Sequence, residues 1–168
     1  MGLPTAVVTG VQAARDAYRT AVDKAKSDFK AALTPITATI QTSTSAALKT
    51  AQDARAAYLT ARSATPATPQ ATLDALKLAY TNAVTAYRTA MASARTAAQP
   101  AITLARTNAQ TAITKAGTDY TAAVTKAFTD AGLSASIPPG LLTPPSSGHR
   151  GGLLNAHLNL GHESLGLG

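Results

Sequence analysis

Apolar residues recur along the first 62 residues at spacings of three, four and four: Val11, Ala14, Tyr18, Val22, Ala25, Phe29, Leu33, Ile36 and Ile40, then, after Thr44, Ala47, Ala51, Ala54 and Tyr58. Three such spacings span eleven residues in three helical turns, about 3.67 residues per turn, which is not the seven-residue period of a left-handed coiled coil. Strand side chains alternate every two residues, so a stripe with this period cannot keep one face of a sheet. The spacing predicts a single helix over residues 5–62.

The second half carries the same period as an internal repeat. From Thr85 the chain reads TAYRTAMASAR, TAAQPAITLAR, TNAQTAITKAG and TDYTAAVTKAF. Met91, Ile102, Ile113 and Val124 share one repeat position, Ala90, Ala101, Ala112 and Ala123 a second, and Ala94, Ala105, Ala116 and Ala127 a third. Leu73, Leu76, Tyr80 and Val84 extend the stripe backwards. Thr68 ahead of Pro69 reads as a helix start and Gly132 as a helix stop, which places the second helix at about residues 69–131. The linker 63–68 and the stretch after 131 are rich in proline and glycine, residues that interrupt helices.

Two long helices with a short linker fold back on each other. The predicted fold class is all-α: a long antiparallel helical hairpin with eleven-residue (hendecad) periodicity, kinked near Pro35 and Pro100 and followed by a Pro/Gly/Leu-rich tail. A four-helix bundle, with each proline ending a helix, is the alternative; the three-four-four spacing runs through both prolines unchanged and favours the hairpin. Residues 1–131 then form the helical domain. Residues 132–168 form a flexible tail with a docking segment at 152–168.

With 39 Ala and 26 Thr in 168 residues, such a hairpin has small side chains in its seams. Burial stabilises by roughly 25 cal/mol per Å² of apolar surface, so an Ala seam contributes little per residue. Self-association is therefore expected, with Met91, Ile102, Ile113 and Val124 as the candidate association seam and a homo-oligomer or larger protein assembly as the product. The absence of Cys excludes a disulfide framework. The three His all follow residue 148, and HESLG does not match the HExxH metal motif. No paired carboxylates, nucleophile with its base or phosphate-cradling glycine loop stands out, so the chain is expected to be non-enzymatic, without cofactor, metal or small-molecule substrate.

The net charge of +7 belongs to the helices, since all charged residues except Arg150 and Glu163 precede residue 132. Nonspecific polyanion contact follows from that field, weakened by the dispersal of the basic residues. The opening MGLPTAVVTG lacks a basic, apolar leader, which makes a cytoplasmic location the default expectation, or a secreted one if the chain is a processed form.

At about 98° per residue, repeat positions 1, 5 and 8 lie opposite the apolar stripe. Thr85, Thr96, Thr107, Thr118 and Thr129 hold position 1; Thr103, Thr114 and Thr125 hold position 8, with Thr81 two repeats before Thr103; Thr89 and Thr111 add position 5. β-Branched Thr is a mediocre helix former, so this row costs helix stability on a face where Glu, Lys or Gln would be favoured. Successive equivalent threonines are about 16.5 Å apart along a straight helix. Duplication of a Thr-rich unit explains the row without selection; recognition of a regular surface explains it with selection.

The segments TAAQPAITLAR and TNAQTAITKAG resemble the Ala/Thr eleven-residue repeats of the type I antifreeze proteins. The resemblance covers residues 85–131 and implies an ice surface as partner, met by the repeat-initial threonines. Pro100, the flanking Arg95, Arg106, Lys115 and Lys126, and Tyr87 and Tyr120 depart from that pattern. The first helix has Asp16, Asp23, Lys49 and Asp53 at its outer positions instead. The period is also similar to that of apolipoprotein-type lipid helices, but an Ala-rich stripe would insert little into a bilayer. Finally, the closing SLGLG resembles the cargo-loading tails that dock in encapsulin shells, which is one of three readings of the tail beside disorder and a flap over the helices.

Overall fold

The computed structural model describes residues 2–145, and the docking segment expected at 152–168 lies outside them. The described residues form two long helices, α1 (Thr5–Arg62) and α2 (Gln70–Asp130), a 3-10 turn at Ser134–Ser136 and a short helix α3 (Pro139–Leu142). The fold is an all-α helical hairpin, with helix bounds within a residue of those predicted. Pro35 and Pro100 lie inside α1 and α2, which are continuous through them. The four-helix alternative is thereby excluded. Residues 2–33 with 103–145 form one compact unit, here the body, and residues 34–102 form a second, here the hairpin end. Both boundaries fall within three residues of a proline, where the helix loses a backbone donor.

In the body, Val7, Val11, Ala14, Tyr18 and Val22 of α1 pack with Ala116, Tyr120, Val124 and Phe128 of α2. Low numbers on α1 meet high numbers on α2, the signature of an antiparallel pair. The Tyr18 and Tyr120 rings are tilted at 59° with centroids 5.9 Å apart, within the distance range of favourable aromatic pairs. Small residues let the backbones approach closely: a Cβ built on Gly10 would sit 2.7 Å from the Ala127 Cβ. Glycine at this helical position costs about 1 kcal/mol in propensity relative to Ala, and the helix contact explains why it stands there.

Gly132 ends α2 as predicted. Its φ is +70°, a conformation that costs glycine no Cβ clash. Its N–H donates to the Thr129 carbonyl at 2.9 Å, and the Leu133 N–H donates to the Phe128 carbonyl at 2.8 Å. These are the two bonds of a Schellman cap, completed by apolar packing of Leu133 on the core. The chain beyond was expected to be an extended, mobile tether. Through Pro145 it instead turns back as a strap: Leu133, Ile137, Leu141 and Leu142 pack on the body core. Partial burial of these four apolar side chains offsets the conformational entropy lost on ordering the segment.

In the hairpin end, Ala51, Ala83, Val84 and Tyr87 form the buried cluster, joined by Ala47, Leu48, Ala54, Tyr80 and Met91. Thr44, the one polar residue in the α1 stripe, is buried and donates its hydroxyl to the Ile40 carbonyl at 2.8 Å. That bond satisfies its only donor and lets a hydroxyl replace an apolar side chain in the seam. At the tip, Thr68 donates to the Ala61 carbonyl at 2.7 Å, and Ser63 to the Leu59 carbonyl at 3.1 Å. The polar residues of the linker thus serve carbonyls that α1 leaves free at its C-terminus.

Candidate threonine row and association seam

Every threonine of the predicted row is exposed: Thr85 and Thr96 in the hairpin end, and Thr103, Thr107, Thr114, Thr118, Thr125 and Thr129 in the body. Several hydroxyls are already engaged within their own helix. Thr85 donates to the Thr81 carbonyl and Thr96 to the Ala92 carbonyl, each at 3.0 Å, Thr118 to the Thr114 carbonyl at 3.3 Å and Thr125 to the Thr121 carbonyl at 2.8 Å. Such back-bonding uses the hydroxyl proton and holds χ1 in one well, leaving oxygen lone pairs and methyl groups to meet a partner. In the body, Thr118, Thr125 and Thr129 line a shallow open depression together with Lys126 and Asp130.

The basic residues beside the row are partly neutralised. Lys115 pairs with Asp119 at 2.6 Å and Lys126 with Asp130 at 2.7 Å, both pairs one turn apart and exposed. Lys24 with Asp28 and Lys49 with Asp53 repeat the arrangement on α1. Local pairing of this kind contributes about 0.3–0.5 kcal/mol per pair.

The predicted association seam is used inside the chain. Val124 is fully buried in the body core and Ile113 packs against that core. Met91 packs on the hairpin-end cluster, and Ile102 is half-buried. Val124 is thus taken up entirely within its own helix pair, while Met91, Ile102 and Ile113 each keep part of their surface exposed.

The repeat's Ala90, Ala101, Ala112 and Ala123 position, expected inside the stripe, is largely outside it. Ala101, Ala112 and Ala123 are exposed and only Ala90 is half-buried. A helix with a single partner covers one narrow face, and this position lies on its flank. Open grooves run there. One, about 560 Å³ in the hairpin end, is lined by Ile36, Ile40, Ala90, Ala94, Ala97 and Ala101 among others. Another lies beside Phe29 in the body, lined also by Ala109 and Ala112.

Sequence reasoning missed the seat of the strap. Thr121 shares its hydroxyl proton between the Gly117 carbonyl of its own helix at 3.1 Å and the Leu142 carbonyl at 3.2 Å, and Pro144 crosses Gly117, where an ideal Cβ would be 3.6 Å from the Pro144 Cγ. The signal was present in the repeat: the position held by Arg95 and Arg106 becomes Gly117 and then Phe128, while the position of Arg88, Gln99 and Gln110 becomes Thr121. Among the described residues no group of His, Cys, Asp or Glu is placed to hold a metal ion, and no helix is long and apolar enough to cross a membrane. No protein-family model, curated protein or solved structure matches this chain, so its function is argued from the two-helix units, their open flanks and the threonine row.

Proposed function

We propose that the protein is a non-enzymatic helical structural protein, a scaffold or assembly component that self-associates. The observation that carries this reading is the open apolar groove of the hairpin end. A helix pair covers one stripe per helix, and here the flank beside it stays open: Ala97 and Ala101 are exposed and Ile36 and Ala94 only half-buried along the groove, whose floor is the buried Ile40. Apolar grooves of this width suit a further helix, and a second copy supplies one with small side chains of its own. Mass measured by light scattering should rise with protein concentration, and Ala97→Lys, at an exposed position, should lower that rise while leaving the circular dichroism unchanged. A monomer at every concentration would remove the proposal.

A second reading is favoured by the back-bonded threonines of the body. Side chains held at a regular repeat lose little freedom on meeting an ordered surface such as ice. The intact protein should then facet growing ice crystals, and Thr107→Lys with Thr118→Lys should abolish the faceting without unfolding the exposed face. Round crystals from the intact protein end that reading.

A further inference from the structure

We infer that the strap, Leu133–Pro145, is an exchangeable element, and that the partner its seat accepts is the same strap from a second copy of this chain. The inference rests on the self-associating reading above and names a contact for it. Three residues of the repeat change character where the strap lies. Where the Arg-bearing position reaches Gly117 and Phe128, a long cationic side chain is replaced first by none, leaving room for Pro144, and then by an aromatic ring that is fully buried. Where the Arg88, Gln99 and Gln110 position reaches Thr121, a shorter side chain supplies the hydroxyl that Leu142 accepts. The seat is thus a peptide-binding surface cut into an otherwise regular helix.

The strap is also built to move as a piece. Its own backbone bonds, from the Ser136 N–H to the Leu133 carbonyl and from the Leu141 N–H to the Pro138 carbonyl, lie within it. Beyond the helix cap, among the described residues, the strap takes one hydrogen bond from the helices, the Thr121 hydroxyl that the Leu142 carbonyl shares with Gly117, and the rest of its hold is apolar contact. None of these contacts distinguishes the chain's own strap from a copy's. What selects the chain's own is the turn at Gly132, a single residue at positive φ. An element joined to the rest of its fold by a short hinge is a low-cost route to exchange between copies, which closes as a two-fold dimer with the contacts preserved, the residues after Pro145 travelling with the strap. Exchange is governed by mass action: dilution favours the intrachain seat and concentration the interchain one.

The absence of cysteine permits a clean test. Full-length Gly117→Cys/Pro144→Cys puts one thiol on each side of the seat, where an ideal Cβ at position 117 lies 3.6 Å from the Pro144 Cγ. Refolded dilute and oxidised, it should give an intrachain cross-link. Refolded concentrated, it should give a disulfide-linked dimer whose share grows with concentration. Adding Gly132→Ala, which strains the turn, should raise the dimer share severalfold at a given concentration. Intrachain cross-links alone at every concentration, in both chains, overturn strap exchange. If mass still rises with concentration in that case, the scaffold reading survives without it; if mass does not rise, both fall.

Discussion

Phe128→Ala is expected to destabilise the protein by about 3–5 kcal/mol, the range for removing a fully enclosed aromatic ring. Phe128 has no exposed surface and stands where α1, α2 and the strap meet. Its loss leaves a cavity that two helices and a capped turn can only partly close, because Gly10 and Ala127 already bring the backbones into contact nearby. For a domain of this size each kcal/mol lowers the melting temperature by about 2–4 °C, so a drop near 10 °C is expected by thermal circular dichroism. Leu104→Ala, at a position 62% exposed, is the control and should change stability by less than about 0.5 kcal/mol. Equal effects of the two substitutions would show that Phe128 does not sit in an enclosed core.

The second large effect is at Gly10. Gly10→Val should cost about 3 kcal/mol, at the upper end of overpacking penalties, even though Val is the better helix former. The reason is geometric, since a Cβ alone would approach the Ala127 Cβ to 2.7 Å and further carbons would force the helices apart. Adding Ala127→Gly restores the room. The double variant should therefore recover much of the lost stability, and a coupling energy above about 1 kcal/mol in the double-mutant cycle is expected from denaturant unfolding. Additive effects would mean the two positions are not in contact.

Most of the hairpin was legible because α1 and α2 repeat one simple instruction many times. Every member of the α1 stripe from Val11 to Tyr58 is buried or half-buried, Thr44 included. The row threonines are exposed as their angular position requires. The readings that shifted concern how much one neighbour can cover. Ala101, Ala112 and Ala123 carry the apolar character of the stripe and still face outward, and Met91, Ile113 and Val124 find their partners within the chain. Periodicity reports the direction of a side chain and not what stands opposite it.

The strap makes the same point from the other side. Residues 133–145 have no period, and their Pro and Gly content alone resembles a tether; only their position beside Gly117, Thr121 and Phe128 packs Ile137, Leu141 and Leu142, half-buried, against the core. By itself the sequence determined the helices, their ends at Arg62 and Gly132, and the outward row, because helical geometry and capping act between residues a few positions apart. The tertiary structure alone decided that the seams close within one chain, that a glycine must stand at position 10 and that the strap seals the body, because those outcomes depend on contacts between residues far apart in the chain.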